Sequence, residues 1–149
     1  MWNGLLPRSF RIFDGATLKD NGEVSTRELG QKAEQIAVDH MLGLGYRLVE
    51  RNFLCKLGEI DIIATHGDEL VFVEVRSRKS AKSLDPIFSV NRKKQQRIVR
   101  AAQVYLDRKF RTPPPSRFDV VLVTFGREPQ VDIIPNAFQV EFNAHEHPW

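Results

Sequence analysis

GEIDIIATHGDELVFVEVR, residues 58–76, decides how this chain folds. Two strand-like runs, Gly58 to His66 and Glu69 to Ser77, flank Gly67-Asp68, a two-residue hairpin turn. With those two residues as the loop, His66 pairs with Glu69 and the register is fixed outward from there. Asp61 then falls opposite Glu74, with Cβ atoms about 5 Å apart, and Glu59 falls opposite Arg76. Side chains alternate along a strand, so these four share one face while Ile60, Ile62, Val73 and Val75 take the other as core. Two carboxylates so placed repel unless a cation shares them or one keeps its proton. A hard divalent cation takes oxygen ligands, stabilises charge on a phosphate and acidifies a bound water. Two readings fit this spacing. One is a metal-holding pair, to which the Val75 carbonyl adds an oxygen. The other is an exposed face carrying ordinary salt bridges, Glu59–Arg76 among them.

Working outward from the hairpin, Tyr46 to Phe53 alternates enough to form a strand before it. Upstream, Ser25-Thr26-Arg27-Glu28 has the spacing of a capping box. Leu29, Ala33, Ile36, Ala37 and Met41 then follow a helical period until Gly43 and Gly45 end it. Downstream, residues 78–90 are basic and rich in turn formers. Asn91 caps a second helix running to about Phe110, with Ile98, Ala101, Ala102, Tyr105 and Leu106 on one face. Pro113-Pro114-Pro115 breaks the chain. Phe118 to Phe125 is a β-rich run and Val131 to Ile134 a weaker one. The order is helix, three strands, helix, two strands, which predicts an α/β fold with a mixed sheet flanked by helices. Residues 1–24 read as a flexible leader, 25–135 as the folded domain and 136–149 as a loose tail.

Composition narrows the function class. The chain has 149 residues, one domain's worth, with 42% hydrophobic and 28% charged residues. No apolar run reaches the roughly 18 residues that cross a bilayer, and the start lacks the pattern of a secretory signal. A single cysteine, Cys55, excludes an internal disulfide and predicts a reducing, cytoplasmic setting, with Cys55 itself as a small core hydrophobe. The net charge of +3 conceals a division: residues 76–111 hold twelve Lys or Arg against two acids, while the rest of the chain is net acidic. This basic segment is either a surface facing a polyanion or a solvated helix face. On the first reading, Arg78, Lys79, Lys82, Arg92, Lys93, Arg97 and Arg100 contact nucleic-acid backbone with little sequence choice.

Several short stretches together carry a resemblance. They are GQKAE at 30–34, GY at 45–46, ERNF at 50–53, GEIDII at 58–63, VFVEVR at 71–76 and RFDVV at 117–121. The chain resembles the YraN family of small bacterial proteins over about Glu28 to Ile134. That family in turn is similar to the PD-(D/E)xK nucleases, particularly archaeal Holliday-junction resolvases. The resemblance implies a restriction-endonuclease-like core and a site on Glu34, Asp61 and Glu74. In active relatives these positions bind Mg2+ and support phosphodiester hydrolysis, with DNA the favoured substrate. It also implies a homodimer, by analogy with resolvases. A silent nucleic-acid-binding or adaptor module is the alternative. One position departs from the motif, because the lysine expected two residues after Glu74 is Arg76. Arginine holds its proton near neutrality and cannot serve as a general base, although it can grip a phosphate bidentately. Lys94 offers a substitute, since on a helical wheel it lies within about 40° of Ile98. It either faces the sheet beside the acids or snorkels along the core edge. His145-Glu146-His147 reads as a chance pairing in the tail, and Asp119 as a structural partner of Arg117 or of a helix end.

Overall fold

The computed structural model describes residues 25–82 and 90–139. The expected leader at 1–24 and the histidines at 145 and 147 lie outside the described residues. Helix α1, Thr26–Gly43, opens with the capping box that its sequence announces. The Ser25 hydroxyl accepts from the Glu28 backbone N–H, and the Glu28 carboxylate accepts from the Ser25 N–H. Strands β1 (Arg47–Cys55), β2 (Gly58–His66) and β3 (Glu69–Arg78) follow. Helix α2, Arg92–Lys109, is capped by Asn91, whose side chain accepts from the Lys94 N–H at 2.9 Å. Strands β4 (Ser116–Thr124) and β5 (Gln130–Ile134) complete the fold. The first of these begins immediately after the three prolines, because Leu70 already pairs with Ser116 there.

The sheet has five strands in the order β1-β2-β3-β4-β5, antiparallel except for the parallel β3–β4 pair that α2 bridges. It is the mixed, helix-flanked sheet of a restriction-endonuclease-like core. Helix α1 covers one face through Ala33, Ala37, Val38 and Met41 against Ile62, Val71, Val73 and Val121. Helix α2 covers the other through Ile98, Ala101, Ala102 and Tyr105 against Phe53, Ile60, Phe72 and Val120. Phe53 and Phe72 meet the Tyr105 ring edge-on at centroid distances of 5.2 and 6.0 Å. Cys55 packs partly buried against this second cluster. Among the described residues no helix is long and apolar enough to cross a membrane. The polar stretch read as a loose tail starts tied down, with Ala137 N–H donating to the Phe118 carbonyl and the Phe138 ring stacked on Phe118.

One close approach sets how α2 lies on the sheet. Gly58 is buried, and a Cβ there would stand 2.6 Å from the Arg97 carbonyl oxygen, so only glycine fits. Lys94, one turn before Arg97, is thereby carried to Glu74, in the middle of β3.

The hairpin register is the predicted one, from His66↔Glu69 to Ile62↔Val73. There the β2–β3 ladder ends, one position short of Asp61 and Glu74. The β1–β2 ladder likewise steps from Arg51↔Ile62 to Phe53↔Ile60, skipping Asn52 and Asp61. Asn52 has a left-handed backbone, φ 52°. This break corrects the expected alternation: Ile62 and Val73 pack beneath α1, but Ile60 packs beneath α2.

Candidate active site

The break in the ladders is where charged groups collect. Asp61 has no ladder partner on either side, and its carboxylate accepts from the Val75 N–H at 2.8 Å. That contact leaves Asp61 beside Glu74, whose side chain is only 3% exposed. Burial is the main reason the Asp61 carboxyl is pushed up to about 7, and the neighbouring Glu74 charge is the second. The Val75 N–H and the Lys94 ammonium oppose both.

Lys94 comes in from α2, with Nζ 2.5 Å from Glu74 Oε1. Of the two sequence readings for this lysine, the helix places it at the acids. Arg76 also turns to Glu74, at 3.9 Å from the same oxygen. The expected Glu59–Arg76 pair does not form, because the ladder has already opened at Ile62↔Val73 and Glu59 stands exposed. Glu34, on α1, is partly buried. Burial and the Asp61 charge raise its carboxyl, while Arg51 and a hydrogen bond from Asn52 lower it. Among the described residues no three acidic, histidine or cysteine side chains stand grouped to hold one metal ion. Asp61 and Glu74 thus meet, and Glu34 feels Asp61 without joining them.

The basic residues expected to line a nucleic acid divide in two. Lys79, Lys82, Arg92, Lys93, Arg97 and Arg100 are exposed. Arg78 is partly buried, with its Nε donating to the Thr124 hydroxyl at 2.9 Å.

A second charged cluster lies at the start of β3. Arg117, at 10% side-chain exposure, donates to buried Asp119 and, at 2.5 Å, to Glu69. It also reaches the Tyr46 hydroxyl and His66 Nδ1, each at 3.2 Å, while the Tyr46 and His66 rings stack. Asp119 ties Arg117, as its sequence context predicts, and also holds the Asn136 N–H at 3.1 Å. The sequence gives no partner for His66, because that partner lies 51 residues along the chain.

Residues 33–123 match the model of a family described as "Uncharacterised protein family UPF0102". The chain belongs to that family. A UPF0102 protein of Hahella chejuensis is 44% identical over 115 residues, which is 77% of this chain and 93% of that protein. One from Geobacter metallireducens is 41% identical over 117 residues, covering 78% and 96%. One from Alkaliphilus metalliredigens is 43% identical over 113 residues, covering 76% and 99%. The UPF0102 match contains Glu34, Asp61, Glu74, Arg76 and Lys94, and runs through the β4 strand that pairs with β3. Missed by sequence reasoning were Arg51 and Asn52, the β1 residues that face Glu34. The available signal was an asparagine within a strand, where it is disfavoured unless its tolerance of left-handed backbone is in use.

Proposed function

We propose that this chain is a magnesium-dependent endonuclease acting on phosphodiester bonds of nucleic acid, with DNA the favoured substrate. The observation that carries the reading is Lys94 Nζ at 2.5 Å from Glu74, beside the Asp61–Glu74 pair. An ammonium supplied from α2 stands where the motif lysine at position 76 is missing. The donor set fits a hard cation: two adjacent carboxyls, one of them raised by burial and by its neighbour, gain from a divalent ion that lets both ionise. Asp61 and Glu74 would hold magnesium, with Glu34 the nearby third acid. Bound there, the ion would stabilise charge on the phosphate and acidify a water. Lys94 holds a positive charge at Glu74 Oε1 and can orient water or stabilise developing charge. Arg76 can grip a phosphate oxygen but cannot take a proton. The exposed basic residues of α2 supply phosphate contacts without reading bases.

The test is nicking of supercoiled plasmid, and cleavage of flap and four-way DNA, with magnesium or manganese. Parent, Asp61→Ala, Lys94→Ala and Arg76→Lys are compared after circular dichroism shows each folded. Asp61→Ala abolishes cleavage, Lys94→Ala lowers it by roughly 100-fold or more, on the scale of a deleted charge-stabilising donor, and Arg76→Lys changes it modestly. Activity that survives Asp61→Ala sinks the site. Salt-sensitive DNA binding with no cleavage in any protein replaces this reading with the silent binding module.

A further inference from the structure

We infer that the Lys94 ammonium fills the cation position at Glu74 and yields it when a divalent ion enters, swinging outward to the phosphate of the substrate. The inference rests on the magnesium reading and adds the order in which the site fills. Glu74 Oε1 carries two cations, Lys94 Nζ at 2.5 Å and Arg76 Nη1 at 3.9 Å. A divalent ion brought to that oxygen repels both, and the repulsion is weakly screened because the Glu74 side chain is buried. Exposure decides which partner moves. Glu74 is fixed in the sheet, whereas the side chains of Lys94 and Arg76 are 39% and 33% exposed and have a way out to solvent. Lys94 has the stronger reason to leave. Its backbone is held in the first turn of α2, where its N–H donates to the Asn91 side chain. That turn contains Arg92, Lys93 and Lys94 and no acid, at the end of the helix where the dipole already disfavours positive charge. Glu74 offsets this crowding. Once an ion takes Glu74, Lys94 is left among like charges at a helix N-terminus, and a phosphate is the partner that relieves it. The ammonium therefore reaches the substrate only after the metal has bound.

Two measurements on the full chain test this exchange without relying on cleavage. The first is Mn2+ affinity, from the electron paramagnetic resonance signal of the free ion, for parent, Lys94→Met, Arg76→Met and Glu74→Gln. Lys94→Met binds Mn2+ at least about fivefold more tightly than the parent, the lower end of coupling between linked sites. Arg76→Met gains less, because its charge stands farther from the oxygen. Lys94→Gln is read in place of Lys94→Met if circular dichroism shows the latter unfolded. The second is the rate at which acetic anhydride labels Lys94 in the parent, read by peptide mass spectrometry against exposed Lys79. Saturating Mn2+ raises that rate several-fold, as the ammonium leaves its buried partner. Tighter binding by Lys94→Met, with faster labelling of the metal-loaded parent, upholds the exchange. Mn2+ that binds the parent and Lys94→Met equally, or that saturates the parent and leaves Lys94 labelling unchanged, overturns the exchange and leaves the metal reading standing. Mn2+ that binds neither protein, or binds Glu74→Gln as tightly as the parent, overturns the metal reading and the exchange with it.

Discussion

At the scale of single residues, Asp61 makes a pH-dependent claim. Its carboxyl sits near 7 in the folded protein against 3.8 as the ordinary value, so the folded state binds this proton more tightly than the unfolded state. The contribution is favourable below about pH 4 and is lost as pH rises through 7. Asp61→Asn should therefore gain stability over the parent between pH 5 and pH 8 in the absence of divalent ions, by urea denaturation at both values. Taking the difference between the two proteins cancels other titrating groups. In saturating magnesium the order should reverse, since a ligand bound to the folded state alone stabilises it by mass action. A difference that is flat in pH would deny the shared burial of Asp61 and Glu74. The Asp61–Glu74 pair was legible in the sequence because a two-residue turn fixes register, whereas the helical period set Lys94 toward the sheet but left open whether it met the acids or covered the core edge. The Glu59–Arg76 pair was misread for a physical reason: counting outward from a turn assumes a ladder that stays closed, and this one opens at Asp61. Asn52 gave one signal, an asparagine inside a strand, but nothing in the residues around it shows that the ladder opens there.

At the scale of elements, α2 joins two tasks on one helix. Its apolar face of Ile98, Ala101, Ala102 and Tyr105 is core. Arg92, Lys93, Arg97 and Arg100 remain exposed around the rest. If these contact phosphates, DNA binding weakens linearly in log salt, with each contact adding roughly 0.9 to the slope. Charge reversal at Arg97 and Arg100 should flatten the slope by about 2 in fluorescence anisotropy titrations across salt. A slope unchanged by both reversals would show that this helix face is merely solvated. Helix existence and caps were readable from Ser25, Glu28 and Asn91. The seating of α2 on the sheet was not, since it depends on Gly58 meeting the Arg97 backbone across 39 residues of chain.

At the scale of the whole molecule, β3 is the axis of both charged clusters. Glu69 anchors Arg117 near its start and Glu74 meets Asp61 and Lys94 five residues later, about 17 Å along a strand. Asp119 is 1% exposed and is the principal counter-charge of Arg117. Asp119→Ala should cost roughly 3–5 kcal/mol by leaving a largely buried guanidinium short of its partner, measured by urea denaturation. A loss below 1 kcal/mol would mean that Glu69 alone suffices. The parallel β3–β4 pairing has a further consequence, for the chain as it is made. Leu70 pairs with Ser116, so β3 leaves the ribosome 46 residues ahead of the strand that closes its edge. At roughly 5–20 residues per second that interval lasts roughly 2–9 s. Throughout it, Val71, Phe72 and Val73 present an unpaired apolar edge, the kind of template on which nascent chains join one another. The segment synthesised during the wait, residues 76–111, is the most basic part of the chain. Its like charge should oppose the approach of a neighbouring chain while that edge is still open.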